Sequence, residues 1–140
     1  MIVIDASAAV DLLLGTDRAA AIARTLRPLR EVHAPELIDP EVISVVRRWT
    51  LRGWLRAEHG KRAVEELGEL ALVRHRHAGL RRRVWELRDR CSAYDAFYIA
   101  LAEVLNAELL TTDDRLGRAA SGLVTLTNGR NLHSRDYQSL

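Results

Sequence analysis

MIVIDASA, residues 1–8, joins three branched apolar residues to an acid and a series of small residues. A short apolar run of this kind is typical of a strand that is buried on both faces of a sheet. Ser7 is suited to cap a following helix, and Gly15 is suited to end that helix after the apolar residues up to Leu14. The segment therefore predicts a strand that passes directly into a helix, with Asp5 at the carboxyl end of the strand.

Short apolar runs and amphipathic helices continue to alternate along the chain of 140 residues. Pro35 is expected to end the second strand, and Asp39 and Pro40 to begin the helix after it. The apolar residues from Leu80 to Cys91 predict one amphipathic helix. The predicted strands are residues 2–5, 31–34, 71–73, 108–111 and 123–126. This alternation predicts an α/β fold with a single domain, residues 1–140, in which a parallel sheet of about five strands carries helices on both faces.

Four acids lie where a predicted strand or loop passes into a helix, and they are Asp5, Glu41, Asp95 and Asp113. The carboxyl ends of parallel strands line one crevice, where ligands bind. Carboxylates that converge there repel one another, so they require protonation or a bridging cation. Each acid also has a structural explanation as a helix cap or as a partner of the helix dipole, and Ser92 and Asp95 are spaced as a capping box. Taken together, the four acids favour a divalent-metal site.

The composition is typical of a globular protein in a reducing compartment. The hydrophobic fraction is 48%, which argues against disorder, and no apolar stretch approaches the roughly 20 residues that cross a bilayer. The N-terminal segment predicts a strand rather than a signal peptide. Cys91 is the single cysteine, and it closes an apolar stripe, so a buried thiol without a disulfide is expected. We therefore expect a cytoplasmic location and no membrane partner.

Positive charge is concentrated between Arg74 and Arg90, although the formal net charge is only +2. Arg81, Arg82 and Arg83 form the densest part of this basic segment. Such a run is either a solvated helix face or a set of contacts to the phosphates of an RNA backbone. The two alternatives stay open from the sequence.

The histidines show no established metal-ligand spacing such as His-Glu-x-x-His. The five are His33, His59, His75, His77 and His133. His75 and His77 alternate at the end of a predicted strand. A zinc site there is the alternative, and positions facing solvent or a phosphate are favoured.

Several short motifs occur in a fixed order along the chain. They are DASA at residues 5–8, APEL at 34–37 leading to Glu41, AYDA at 93–96 and LTTDDRL at 110–116. The ordered set resembles the PIN domain and, more closely, the VapC ribonuclease toxins of bacterial toxin–antitoxin pairs. Each motif is weak alone, but together they cover nearly the whole chain.

The resemblance implies an acidic pocket that binds Mg²⁺, with Mn²⁺ as an alternative. Its members would be the same four acids, Asp5, Glu41, Asp95 and Asp113. Asp5 and Asp95 would contact the metal most directly, and the hydroxyls of Ser7 and Thr111 would support the pocket. Glu36 and Asp39 are alternatives to Glu41, and Asp114 is an alternative to Asp113.

The implied activity is that of a Mg²⁺-dependent endoribonuclease toxin, in which an activated water attacks an RNA phosphodiester. The implied partners are the RNA substrate, a small cognate antitoxin and a second copy of the chain. Three other functions are compatible with parts of the pattern: a non-catalytic RNA- or protein-binding module, a nuclease directed at DNA or at a particular nucleic-acid structure, and a phosphoacceptor domain. The last requires a lysine late in the fold, and the single lysine, Lys61, lies in a predicted helix.

Overall fold

Five strands and seven α-helices build the part of the chain that the computed structural model describes, residues 1–127. The strands are β1 (Ile2–Ile4), β2 (Val32–Pro35), β3 (Leu72–His75), β4 (Glu108–Leu110) and β5 (Leu126–Thr127). The helices are α1 (Ala6–Leu14), α2 (Ala19–Leu26), α3 (Ile38–Leu51), α4 (Ala57–Glu69), α5 (Arg81–Glu86), α6 (Ala93–Leu105) and α7 (Asp114–Ala120). Residues 128–140, His133 among them, lie outside this part, so the extension of the domain to residue 140 stays a prediction. No helix within residues 1–127 is both long enough and apolar enough to cross a membrane.

The strands form one parallel sheet in the order β3-β2-β1-β4-β5. From β1 the chain builds outward through β2 and β3, and then returns to place β4 on the other side of β1. Ile4 pairs with Leu110, so β1 and β4 end at the same level. The order of the strands therefore reverses between β1 and β4, and the predicted parallel sheet of about five strands is confirmed.

Both faces of the sheet are covered by helices. Ile2, Ile4 and Leu110 point to the face that packs against α1, α3 and α4, whereas Val3 and Leu109 point to the face that packs against α6 and α7. None of these five side chains is more than 5% exposed. Burial on both sides is why the strands are continuous apolar runs in the sequence, and it confirms the predicted α/β layers.

Two boundaries near β2 differ from the prediction. Pro35 is the last residue of β2 rather than the residue that follows it. Pairing with β3 continues past Pro35, because the N–H of Glu36 donates to the carbonyl of His75 at 2.9 Å. Helix α3 begins before Asp39, which lies in its first turn and does not cap it. The Asp39 carboxylate is bonded instead to the guanidinium of Arg74, at 2.7 and 2.9 Å.

The prediction of a single helix from Leu80 to Cys91 is wrong. A 3₁₀ turn and the short helix α5 occupy only the first part of that range. In the turn that follows, the side chain of Arg90 donates to the carbonyls of Ala119 and Ser121. This segment is therefore tied to the end of α7, and Cys91 is half-buried rather than buried as expected.

The last predicted strand, residues 123–126, begins later than expected. The N–H groups of Leu123 and Val124 donate to the carbonyl of Ala120, at 3.0 and 3.2 Å, in a turn that follows α7. These residues consequently cannot join the sheet, and β5 begins at Leu126.

His33 on β2 is buried beside a second imidazole. Its side chain is 5% exposed, and its Nδ1 lies 2.9 Å from Nε2 of His75 on β3. His75 is thus partnered within the sheet, and the expectation that it faces solvent or a phosphate is wrong. Nε2 of His33 has no hydrogen-bond partner and lies 3.4 Å from the carboxylate of Glu31. Burial first, and then the charge of His75, lower the pKa of His33 below its usual 6.5.

We expect the contribution of His33 to the free energy of unfolding, measured as the difference between wild type and a His33→Gln variant, to decrease as the pH falls from 7 to 5. The buried carboxylates with a raised pKa, Asp5 foremost, act in the opposite direction in both proteins. Below the ordinary pKa of 6.5, His33 is protonated in the unfolded chain but stays neutral in the folded protein. The contribution of His33 to stability is therefore present above the unfolded pKa and is lost as the pH falls through the lower folded pKa. Through His33, the free energy of unfolding changes by at most about 1.4 kcal/mol per pH unit. Urea unfolding at several pH values measures it, and a His33→Gln variant with the same slope as wild type would contradict this assignment.

Candidate active site

The candidate site lies at the carboxyl ends of β1 and β4, where the strand order reverses. Asp5 directly follows β1, and Thr111 directly follows β4. The Asp5 N–H donates to the Leu110 carbonyl at 3.1 Å, which holds the two chain segments together. In an open α/β sheet the connections leave in opposite directions at this point, and they open a crevice outside the strand ends.

Asp5 is held by several hydrogen bonds inside the protein. Its Oδ1 accepts from the Ala8 N–H at 2.9 Å, so Asp5 rather than Ser7 is the N-cap of α1, contrary to the prediction. The hydroxyl of Ser7 donates to the carboxylate at 2.8 Å, and the Thr111 hydroxyl donates to Oδ2 at 2.6 Å. Burial raises the pKa of Asp5 to about 7, although these hydrogen bonds act in the opposite direction. The carboxylate is thus oriented firmly but is costly to ionise without a cation.

Asp95 lies in the first turn of α6. The hydroxyl of Ser92 accepts from the Asp95 N–H at 3.2 Å, which confirms that Ser92 caps this helix. Oδ2 of Asp95 is buried and has no hydrogen-bond partner. Nε of Arg115 lies 3.8 Å from it, within ion-pair range but beyond hydrogen-bond range. Burial raises the pKa of Asp95, and the charge of Asp113 raises it further. Asp95 therefore presents an oxygen that lacks a ligand.

Asp113 is the N-cap of α7, as predicted. Its Oδ1 accepts from the Arg115 N–H at 2.9 Å, and its own N–H donates to the hydroxyl of Thr111 at 3.0 Å. Its charge contributes to the raised pKa of both Asp5 and Asp95, so the three carboxylates lie within electrostatic reach of one another. Asp114 is exposed to solvent. The structure thus brings Asp113, rather than Asp114, towards the other acids.

Glu41 joins the group through a tyrosine. The hydroxyl of Tyr98, one turn along α6 from Asp95, donates to Oε1 of Glu41 at 2.7 Å. Burial raises the pKa of Glu41, and the nearby charge of Asp95 adds to this effect. Of the two alternatives, Asp39 is bonded to Arg74 and Glu36 is exposed. The structure therefore places Glu41 with the other acids.

The hydroxyl residues form a second layer beneath the acids. The Ser7 hydroxyl accepts from the Thr112 N–H at 3.1 Å and lies 3.3 Å from the Thr111 hydroxyl. The Thr112 hydroxyl in turn donates to Oδ2 of Asp11 at 2.6 Å. Ser7 and Thr111 thus lie where supporting residues were predicted.

Tyr98, Arg115 and Thr112 also touch this group, and the sequence analysis did not select them. Tyr98 carried a usable signal, since it lies three residues after Asp95 on the same helix and therefore on the same face. Arg115 carried no such signal, because the acid that its side chain approaches, Asp95, is distant in sequence. Thr112 was part of a selected motif, but its partner Asp11 is distant in sequence.

The predicted RNA-binding arginines lie on and beside α5. Arg83 makes ion pairs with Glu103 at 2.9 Å and with Glu86 at 3.2 Å, so its charge is largely engaged. Arg81 and Arg82 are exposed. A phosphate contact by Arg81 and Arg82 stays a prediction, and Arg83 is the least suited of the three.

The donor set fits a hard divalent cation. Within residues 1–127, no three or more carboxylate, imidazole or thiol side chains are grouped so that they could hold a metal ion by themselves. Mg²⁺ does not require such a set, because it keeps several waters and binds through one or two carboxylates and a substrate phosphate. The unpartnered Oδ2 of Asp95 and the raised pKa of buried Asp5 are both conditions that a cation would relieve. Asp5 and Asp95 therefore have the chemistry that a divalent cation would satisfy, and their role as its ligands stays a prediction.

The profile of the PIN domain family matches residues 2–122, from β1 through α7. The chain belongs to the PIN domain family. Ribonuclease VapC9 of Mycobacterium tuberculosis is 42% identical over 127 residues, which cover 91% of this chain and 97% of the relative. This PIN domain therefore also belongs with the VapC ribonucleases. The resemblance drawn from the sequence is confirmed, and so is the enzyme class that it implied, a ribonuclease.

Solved structures confirm the fold. The structure of VapC20 of Mycobacterium tuberculosis, described as a Sarcin-Ricin loop cleaving toxin, has a TM-score of 0.68 at 19% identity and covers 90% of this PIN domain and 98% of its own chain. VapBC2 from Rickettsia felis, bound to a DNA fragment from the promoter, has a TM-score of 0.66 at 15% identity, with coverage of 91% and 98%. At these identities the likeness concerns the fold alone.

Replacing Thr111 with valine is expected to weaken Mn²⁺ binding by this PIN domain about tenfold. Valine keeps the shape of the side chain but removes the hydroxyl that donates to Asp5 and accepts from the Asp113 N–H. Calorimetric titration with Mn²⁺ measures the effect, and Thr111→Ser, which retains the hydroxyl, is the matched control. Equal affinity in Thr111→Val and wild type would show that the hydroxyl does not orient a metal ligand.

Proposed function

We propose that this PIN domain is a Mg²⁺-dependent endoribonuclease that acts as the toxin of a toxin–antitoxin pair. The observation that carries the proposal is the set of four acids, after β1, after β4 and in the first turns of α3 and α6, each within electrostatic reach of another. Burial raises the pKa of three of them, Asp5, Glu41 and Asp95, in the absence of a cation. The kinship with VapC9, a ribonuclease, supports RNA as the substrate.

Asp5 and Asp95 would hold the cation through carboxylate oxygens. A bound Mg²⁺ would supply charge neutralisation at the phosphate and a lower pKa for the attacking water. Asp113, beside both ligands, is placed to accept the proton that the water loses as its oxygen forms the new bond to phosphorus. The bond from phosphorus to the oxygen of the departing nucleoside breaks in the same displacement, and that oxygen is protonated from solvent.

The remaining polar residues would fix the geometry of these groups. The hydroxyls of Ser7 and Thr111 limit the rotation of Asp5, and Tyr98 fixes Glu41 through a bond of 2.7 Å. Arg115 is mostly exposed and lies beside Asp95. Its guanidinium is suited to contact a phosphate once a cation has taken over the neutralisation of Asp95.

The proposed partners follow from the family and from the charge of the site. A small antitoxin would cover the acidic pocket, and an arginine inserted among the carboxylates would replace the cation. An apolar groove of about 460 Å³ lies between α3 and α4 and is lined by Ile43, Val46 and Val64. This groove is suited to bind part of such a partner. We further propose that the protein acts in the cytoplasm and that two copies associate through their helices.

The proposal is tested with purified protein freed of any bound partner by unfolding and refolding. A mixed RNA pool is incubated with Mg²⁺ or with EDTA, and single-stranded and double-stranded DNA are incubated in parallel. Cleavage of RNA that requires Mg²⁺ is expected. Cleavage of DNA alone would favour a DNA-directed nuclease, and tight RNA binding without cleavage would favour a non-catalytic module. Either of these outcomes would overturn the proposal.

A further inference from the structure

An exposed aromatic ring lies directly beside the acidic group. Tyr94 is the second residue of α6, immediately before Asp95, and it is 61% exposed. A tyrosine so exposed gains little from folding, since most of its ring stays in water. Nothing within the described residues hydrogen-bonds to its hydroxyl in place of solvent. The ring is therefore free for a ligand.

Helix geometry places this ring at the mouth of the site. Residues four apart on a helix share a face, so Tyr94 lies one turn above Tyr98, whose hydroxyl bonds Glu41. Side chains on a helix lean towards its N-terminus, which is the end of α6 that carries Asp95. Tyr94 thus projects past the acids towards solvent on the side where Glu41 lies.

A second aromatic residue lies one turn along α6 from Tyr94. Phe97, three residues on, packs against the ring of His77 in a tilted arrangement with the centroids 4.6 Å apart. Nε2 of His77 accepts from the N–H of Leu37, at 3.0 Å, at the start of α3. These contacts hold Phe97 in place. The mostly exposed guanidinium of Arg115 lies beside Asp95, the residue that follows Tyr94.

We propose that Tyr94 binds the substrate by stacking on the base of a nucleotide next to the phosphate that is cleaved. The ring of Tyr94 suits a base, and the exposed guanidinium of Arg115 suits a phosphate. The proposed cation site near both residues suits the phosphodiester that reacts. Stacking on an aromatic side chain requires a base that is not covered by its neighbours in a duplex. Tyr94 is thus a binding residue that favours unpaired nucleotides at the cleavage position. This inference rests on the proposed function.

The test uses an RNA oligonucleotide whose cleavage position has been mapped with wild-type protein. Tyr94→Ala is expected to raise KM about tenfold with little change in kcat, and Tyr94→Phe, which keeps the ring, is expected to match wild type. Trp54→Ala is the control for loss of an exposed aromatic ring, since Trp54 is 68% exposed beyond the far end of α3. Removing the base on one side of the cleaved phosphate should raise KM for wild type by the same factor, with no further rise for Tyr94→Ala.

A second measurement separates this inference from the proposed function. Binding of an unpaired RNA oligonucleotide, chosen without reference to cleavage, is measured by fluorescence anisotropy in an Asp5→Asn background, with and without Tyr94→Ala. Cleavage and binding that are both unaffected by Tyr94→Ala would overturn the stacking role and leave the nuclease proposal intact. Binding that depends on Tyr94, together with a wild-type protein that cleaves no RNA, would support stacking and overturn the nuclease. An equal effect of Tyr94→Ala on intact and base-free oligonucleotides would overturn stacking.

Discussion

Asp5→Asn and Asp95→Asn are each expected to reduce metal-dependent RNA cleavage by about a thousandfold. Asparagine nearly preserves the shape of the side chain but cannot supply the negative charge that binds the cation. The fold should survive, because asparagine at position 5 is still a good N-cap for α1, and the capping bond at Asp95 comes from its backbone N–H. Initial rates on an RNA oligonucleotide, with circular dichroism of each variant, measure the effect.

Asp89→Asn is the matched control, since Asp89 is an exposed acid in the turn after α5. It is expected to retain the wild-type rate. Thermal unfolding with and without Mn²⁺ adds a measurement that does not depend on activity. Wild type should be stabilised by the ion, and the Asp5 and Asp95 variants should not. Cleavage at the wild-type rate by either variant would remove that residue from the site.

The second large effect distinguishes two neighbouring acids. Asp113→Asn is expected to lower kcat about a hundredfold, whereas Asp114→Asn should stay within about twofold of wild type. Asp113 is close enough to raise the pKa of Asp5 and Asp95, and Asp114 is exposed on the first turn of α7. The pair is well matched, because the two residues are adjacent and undergo the same chemical change.

The ratio of kcat in the two variants provides the decisive readout for Asp113. If Asp113 accepts a proton from the attacking water, kcat should fall in Asp113→Asn and persist in Asp114→Asn. A large loss of activity in Asp114→Asn with a normal Asp113→Asn would reverse the assignment. Equal losses in both would indicate that the N-terminus of α7, rather than a particular carboxylate, is what matters.

The sequence predicted those features that depend on local patterns. Apolar runs buried on both faces identified the strands, the end of the first strand identified Asp5, and the family resemblance identified Thr111. The cap of α6 was predicted because Ser92 and Asp95 are three residues apart. These signals lie within one turn of helix or one strand, so a single chain contains them in full.

Contacts between segments that are far apart in sequence could not be predicted. The preference for Glu41 over Asp39 depends on Arg74 binding Asp39 across 35 positions and on Tyr98 reaching Glu41 across 57. The end of α5 depends on Arg90, which is bonded to the carbonyl of Ala119 on another helix. Apolar periodicity carries no information about such pairs, because they become neighbours only after the sheet and both helical layers have formed.

Asp5 both caps α1 and belongs to the acidic group, so the two roles share one carboxylate. The Ala8 N–H donates to Oδ1 of that carboxylate, and the strength of this bond depends on the charge that the oxygen carries. Protonation of Asp5, or its coordination to an ion, changes that charge and therefore changes the hydrogen bond in the first turn of the helix. The Ala8 amide is consequently a built-in reporter, whose proton chemical shift and rate of exchange with deuterated solvent follow the occupancy of the site without any substrate.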